Sequence, residues 1–360
     1  MSASDSILNT HAFAPVNIAW IKYMGKMEGK PTNSSLSMTL NSLGTSTTMT
    51  VLPEGSHLKF VWNEKGYVPP QTGILKTEFF LRNESHWRQL LETFGFELHI
   101  PQTHVMIHSV NNVPAATGIA TSASAYAALT MAWSALLAGP RRLEWMARFN
   151  AHDPEFRKAI AEVAAKGSGS ACRSIEGPWV EWSPVNGVSR IEGGEMKWID
   201  FILLIDNEPK AVSSSEAHQR VKTSPLFVGR AARAEKRLEE LKELLIARPQ
   251  PLTLIRQLVL DEALDMHELF HTSAPSFRYM NSTSQEVVHT FQKHSAELDL
   301  GLPSLNAVVT LDAGANVHLF VPAAEQDEWT FWLRQEFPKI PFMMDESHLS
   351  KGARYESVSD

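Results

Sequence analysis

Apolar and polar residues alternate along this chain with two different periods, and the changes of period mark out its elements. Thr47–Leu52 (TTMTVL) and Thr103–Ser109 (THVMIHS) are rich in β-branched and apolar residues, so the first part of the chain reads as strands and turns. After the segment NNVPAATG, the run SASAYAALTMAWSALL predicts a long helix of small residues that Gly139-Pro140 brings to an end. The turn formers of Ser183–Glu195 (SPVNGVSRIEGGE) mark a candidate boundary between two domains, residues 1–190 and 191–360. Beyond it MKWIDFILLID reads as a buried strand. Leu238, Leu241 and Leu245 then form one helical apolar stripe, and Val259, Ala263, Met266 and Phe270 form another, with Pro249 between them. The charges of Arg230–Lys242 read as the solvated face of the first of these helices. LNAVVTLDAGANVHLFVP reads as a final strand interrupted by a turn at DAGAN, and a helix around Glu325–Phe337 precedes a polar tail.

Composition narrows the class. A chain of 360 residues with 43% hydrophobic side chains can build a large core, and two domains fit that length better than one. The formal charge of −7, with no block of lysine and arginine, excludes a general nucleic-acid binder, so an anionic ligand must be held by local positive groups. The segment MSASDSILNTHAFAPVN has neither a basic region nor an apolar core of the kind that targets secretion, and no run reaches the length of a membrane span. One cysteine, Cys172, rules out an internal disulfide framework. A cytoplasmic enzyme with no membrane partner is the expectation.

Four places carry candidate chemistry. In NNVPAATGIATSASAYAAL, Pro114 and Gly118 punctuate a loop that delivers Thr121, Ser122 and Ser124 to a helix start, where unpaired amides and the helix dipole favour a phosphate. Small residues there would equally permit close helix packing. Lys22, Tyr23 and Lys26 follow an apolar strand, so Lys22 needs an anionic partner if it is buried. Gly167–Ser174 (GSGSACRS) reads as a turn into a helix N-terminus, with Ser168 and Ser170 facing an anion and Arg173 offering a planar fork for a carboxylate or phosphate. Asp312 stands where the strand VVTL meets a tight turn, either exposing its carboxylate to a cleft or capping its own loop. Cys172 has no histidine base near it in sequence and reads as a small packed residue.

NIAWIKYMGK (Asn17–Lys26), GSGSACRS and LDAGAN (Leu311–Asn316) together resemble the signature regions of the diphosphomevalonate decarboxylases, a family of the GHMP small-molecule kinase superfamily. The stretches lie near the start, middle and end, so the likeness spans most of the chain. It implies an α+β, two-domain GHMP kinase fold with the active site in the cleft between domains, the nucleotide loop in the N-terminal one and the aspartate in the C-terminal one. It implies a homodimer that uses ATP and Mg²⁺ on a small anionic substrate. The activity implied is decarboxylation of 5-diphosphomevalonate to isopentenyl diphosphate through 3-hydroxyl phosphorylation. Asp312, Lys22 and Arg173 would be catalytic; Tyr23, Lys26, Ser168, Ser170 and Arg173 would bind substrate; Pro114, Gly118, Thr121, Ser122 and Ser124 would bind the nucleotide.

Departures from the family pattern are local. Met24 replaces a usual tryptophan and Ala315 a proline. Ala211–Phe227 is shorter by a residue than the family's Val-Ser-Ser to Thr-Ser segment, lacks its Gly-Met, and has Ser215 in place of a phosphate-contacting basic residue, for which Arg220 or Lys222 could substitute. The sister activities are decarboxylation of 5-phosphomevalonate and a kinase that stops at the 3-phosphate. An unrelated alternative comes from His267, Glu268 and His271, which spell the HExxH pattern of zinc hydrolases in a helical context. Against it, no third ligand is assigned, and Asp265-Met266-His267 itself resembles the decarboxylases' Met-His helix. A catalytically silent binding protein of the same fold would not need the charged set Asp312, Lys22 and Arg173.

Overall fold

The computed structural model describes residues 8–27, 30–113, 121–206, 210–299 and 306–356. Its strands are β1 (Asn9–Ile21), β2 (Lys26–Met27), β3 (Lys30–Pro31), β4 (Ser35–Val51), β5 (Lys59–Trp62), β6 (His104–Asn111), β7 (Trp179–Ser183), β8 (Gly187–Arg190), β9 (Trp198–Leu203), β10 (Val308–Thr310), β11 (Val317–Pro322), β12 (Phe342–Asp345) and β13 (Arg354–Tyr355). Its α-helices are α1 (Gln71–Leu81), α2 (Glu84–Thr93), α3 (Thr121–Leu137), α4 (Arg142–Asn150), α5 (Pro154–Gly167), α6 (Ser214–Arg220), α7 (Arg230–Ile246), α8 (Leu252–Thr272), α9 (Ser282–Asp299) and α10 (Gln326–Glu336). Among the described residues one sheet runs β13-β1-β4-β6-β5, with β7 and β8 branching from β4, and a second runs β10-β11-β9-β12. The first is antiparallel except for β5 against β6. The fold is therefore α+β with two sheet-based units.

Three cores stack around these sheets. Helices α1 to α5 cover one face of the first sheet, with α3 buried almost throughout because it is apolar on every side. The opposite face shares a core with the second sheet and with α7 and α8, centred on Trp20, whose ring meets Trp179, Trp198 and Phe320 edge-on. Helices α9 and α10 cover the far side of the second sheet. Strand β9 is thus buried on both faces, Trp198 and Ile202 toward one core and Ile199, Phe201 and Leu203 toward the other, which is why it reads as an apolar run broken only by Asp200, itself buried and bonded to His318 at 2.8 Å.

Two breaks of register in β1 aim the site. Ala12 and Ala14 face the helical core, but after the irregularity between Pro15 and Asn17 the even positions Val16, Ile18 and Trp20 face the shared core instead. Inserting a residue flips side-chain parity, so Asn17 and Ala19 now turn into the cleft. A second shift between Ala19 and Ile21 returns Ile21 to the core and delivers Lys22 to the cleft.

Several expectations are corrected. The first part of the chain also contains α1 and α2; α1 leaves Leu75 and Phe79 exposed, so it lacks a clean apolar stripe. Ser183–Glu195 includes the turn and second strand of the β7–β8 hairpin. The polar tail supplies β12 to the second sheet and β13 to the first, where Tyr355 pairs with Ala12. The interrupted final strand is the antiparallel pair β10–β11. Arg230–Lys242 is not simply a solvated face: Arg230 is wholly buried on Glu262 of α8, Arg237 reaches Glu262 at 2.8 Å, and Arg233 reaches Asp265 at 2.8 Å. Charge spacing on one helix does not reveal acids on the next.

Candidate active site

Lys22, immediately after β1, is 1% exposed, and its backbone is gripped from several sides. Its N–H donates to Glu262 Oε1 (3.0 Å), and its carbonyl accepts from Asn33 (3.0 Å) and Arg230 (3.2 Å). The side-chain Nζ donates to the Ala19 carbonyl (2.6 Å) and to Asp312 Oδ1 (2.7 Å). Asp312 follows β10 at the turn into β11, and its side chain is 22% exposed. Its Oδ2 has no partner among the described residues, so one carboxylate oxygen is fixed and the other remains available. Burial alone would raise the Asp312 pKa, but the Lys22 ammonium, with His318 and Arg173 adding to it, holds the carboxyl below its ordinary range. Burial likewise lowers the Lys22 pKa, opposed by Asp312.

Gly167–Ser174 forms the end of α5 and a 3₁₀ turn (Gly169–Ser174), rather than the N-terminus of an α-helix. A Cβ on Gly167 would fall 2.3 Å from the Tyr126 ring, so the close approach of that ring to the end of α5 depends on the glycine. Arg173 is 4% exposed; Nε donates to Asn17 Oδ1 (3.3 Å) and Nη1 to Ser35 Oγ (2.5 Å), and no acid lies at ion-pair distance among the described residues. A buried guanidinium held only by neutral groups is suited to an incoming anion. Burial lowers its pKa, partly offset by neighbouring groups including Asp312 and Tyr23. Burial also raises Tyr23, leaving a neutral phenol, and pushes Cys172 up to about 12, in keeping with a packed, inert thiol.

These groups converge on a cleft of about 560 Å³. Lys22, Tyr23, Lys26, Ser168, Ser170, Arg173 and Asp312 all line it, as does Ser122 at the start of α3. Ser124 is directed elsewhere: it is fully buried, shares a 2.7 Å hydrogen bond with Thr45, and ties the helix start to β4. Thr121 begins α3, while Pro114 and Gly118 lie outside the described residues. Asn17, Lys76, Lys166, Lys210 and His218 also line the cleft and were not singled out from the sequence, and Ser213–Ser215, from the segment that departs from the family pattern, line it with them. Asn17 was legible as a polar residue inside an apolar strand; Lys210 stood just before the paired serines. Arg220 and Lys222 do not take the place held open for them: Arg220 pairs with Glu216 and Lys222 bonds Gln219.

Among the described lining residues, five lysines and Arg173 oppose the single carboxylate of Asp312. Burial lowers the pKa of Lys26, Lys76, Lys166 and Lys210, a cost that a bound polyanion would relieve. This lining fits a nucleotide and a second phosphorylated ligand. The described residues contain no group of three or more metal-ligating side chains, so a magnesium ion would rest chiefly on phosphate oxygens, with Asp312 and the Ser122 hydroxyl as the protein groups available.

The HExxH residues do not assemble a comparable set. His267 is buried, its Nε2–H donates to the Asp312 carbonyl (3.2 Å), and burial with Lys22 nearby pushes its pKa down to about 3. Glu268 is exposed and bonds His271. The histidine therefore buttresses the Asp312 turn.

The family model described as "Diphosphomevalonate decarboxylase-like N-terminal domain" matches residues 14–189, and that described as "Mevalonate 5-diphosphate decarboxylase C-terminal domain" matches residues 201–358. The diphosphomevalonate decarboxylase of Ganoderma lucidum is 30% identical over 357 residues, covering 94% of this chain and 85% of that protein. A solved structure of MDDEF in complex with MVAPP, AMPPCP and magnesium is 26% identical with a TM-score of 0.77, covering 98% of this chain and all of the other. A mevalonate diphosphate decarboxylase structure from Legionella pneumophila is 29% identical with a TM-score of 0.72, covering 94% of this chain and all of its own.

Proposed function

This chain belongs to the diphosphomevalonate decarboxylase family, and from that premise we propose that it converts 5-diphosphomevalonate and ATP to isopentenyl diphosphate, ADP, phosphate and CO2. The observation that carries the reading is the Lys22–Asp312 pair in a cleft where, among the described residues, the second Asp312 carboxylate oxygen has no partner and the buried Arg173 has no acid at ion-pair distance.

A tertiary alcohol beside a carboxylate does not lose CO2 readily, because hydroxide is a poor leaving group. Phosphorylation removes that obstacle. Asp312 Oδ2 orients the 3-hydroxyl and takes its proton as the oxygen bonds to the γ-phosphorus and ADP departs. Lys22 Nζ keeps Asp312 ionised and adds positive charge beside the transferring group. Bound magnesium would offset phosphate charge. Arg173 aligns the substrate carboxylate, so that phosphate leaves the tertiary carbon with the C–O bonding pair while the C–C pair released as CO2 departs becomes the new double bond. Tyr23, Lys26, Ser168 and Ser170 hold the substrate, with Lys210 and Ser213–Ser215 close by.

Residues 1–190 would then carry the nucleotide groups, Thr121 and Ser122 with Pro114 and Gly118, and residues 191–360 the aspartate. We also infer a cytoplasmic homodimer. Its single cysteine is buried and no described helix is long and apolar enough to cross a membrane; the dimer rests on family likeness alone. The test is ATP-dependent CO2 release with mevalonate, 5-phosphomevalonate and 5-diphosphomevalonate in parallel. Release from the diphosphate, reduced about 10²- to 10⁴-fold in Asp312→Asn, is expected. Preference for the monophosphate, or ADP without CO2, would assign a sister activity instead.

A further inference from the structure

His218, on α6, reaches across to the turn that follows β1. Its Nδ1 accepts the Gly25 N–H at 3.0 Å. Its ring lies against that of Tyr23, with centroids 4.6 Å apart and planes 31° apart, while Trp182 meets Tyr23 edge-on at 5.1 Å. Gly25 sits at φ +107°, a conformation that needs glycine, and a Cβ there would fall 2.5 Å from the Phe227 ring. Tyr23 and Lys26, on either side of this constrained turn, both line the cleft, as does His218 itself. Burial, with Lys26 and Lys222 nearby, pushes the histidine pKa down to about 3, so the ring is neutral and Nδ1 stays an acceptor. A backbone N–H in the middle of the Tyr23–Lys26 turn is therefore held by a side chain from a distant part of the sequence.

We propose that His218 is a positioning residue for the phosphorylated end of the substrate: by holding the Gly25 N–H and the Tyr23 ring, it sets the Tyr23–Lys26 turn in the geometry that binds phosphate. This rests on the function proposed above, under which Tyr23 and Lys26 contact the substrate. His218 acts through the turn, so its loss changes substrate affinity while leaving the transferring groups Asp312 and Lys22 in place.

The experiment compares His218→Leu, His218→Asn and His218→Gln. Asn places an oxygen near Nδ1 and can accept from Gly25, whereas Gln places its amide near Nε2. His218→Leu is expected to raise KM for 5-diphosphomevalonate about five- to tenfold, the factor one hydrogen bond contributes, with kcat and the KM for ATP within about twofold of wild type. His218→Asn is expected to recover most of the loss and His218→Gln little of it. Calorimetric affinity for inorganic diphosphate should follow the same order, and that arm needs no turnover. An unchanged substrate KM in His218→Leu, rescue by Gln in place of Asn, or equal losses in both KM values would overturn the proposal. If His218→Leu does not fold, the Asn and Gln pair decides. Wild type that fails to release CO2 would instead sink the functional reading, with the diphosphate affinities still testing the role of His218.

Discussion

Asp312 and Lys22 form the residue pair on which the proposed chemistry turns, and each makes the other's burial tolerable. Burial pushes Asp312 toward protonation, and Lys22, joined by His318 and Arg173, more than reverses it. A carboxylate with a depressed pKa is ionised above that value and loses its charge only as pH falls through it. The acid limb of kcat/KM for the wild type should therefore lie below the usual aspartate value of about 3.9. Substitution Lys22→Met removes the largest of the groups that oppose burial and should move that limb upward, whatever the accompanying loss of kcat. A pH profile whose acid limb stays in place would show that another group controls it. Both residues were legible in the sequence, Lys22 as a cation after an apolar strand and Asp312 as an acid where a buried strand meets a turn. The bond between them was not, because it joins positions 290 residues apart.

At the scale of elements, α7 and α8 do more than close the shared core. Glu262, wholly buried on α8, takes Arg230 and Arg237 from α7 and the Lys22 N–H from the end of β1, so one carboxylate couples two helices to the strand that leads into Lys22. Removing one partner from a buried charged network leaves the others uncompensated. Glu262→Ala should lower stability by about 3–5 kcal/mol in denaturant titration, and a loss below about 1 kcal/mol would mean the arginines find water or Asp265 instead. The apolar stripes of both helices could be read directly from periodicity, since Leu238, Leu241, Leu245, Val259, Ala263, Met266 and Phe270 are all buried. Their charged faces could not, because the partner helix decides whether an arginine meets solvent or an acid. Lys76 escaped notice for a related reason: it sits on α1, whose exposed Leu75 and Phe79 obscure the helical pattern.

Across the whole molecule, the segments that make the cleft come from both sheet units, and long-range ties fix their relation. Strand β13 returns to pair with β1, and Arg157 of α5 donates to the carbonyls of Lys351 and Ala353. Asp345 of the second sheet accepts the backbone N–H groups of Asn41, Ser42 and Leu43. The signature stretches announced the two-unit fold, whereas β12 and β13 are too short to carry a pattern and gain their register only from the strands they join. Under the proposed mechanism, phosphorylation of a hydroxyl and fragmentation of a carbon skeleton occur in this one cleft, and the two are linked by the fate of a single oxygen. In 5-diphosphomevalonate labelled with oxygen-18 at the 3-hydroxyl, that oxygen bonds to phosphorus in the first step and leaves carbon in the second. Mass spectrometry of the released inorganic phosphate should find one label per CO2 formed; label in water, with unlabelled phosphate, would contradict phosphorylation of the 3-hydroxyl as the step that makes decarboxylation possible.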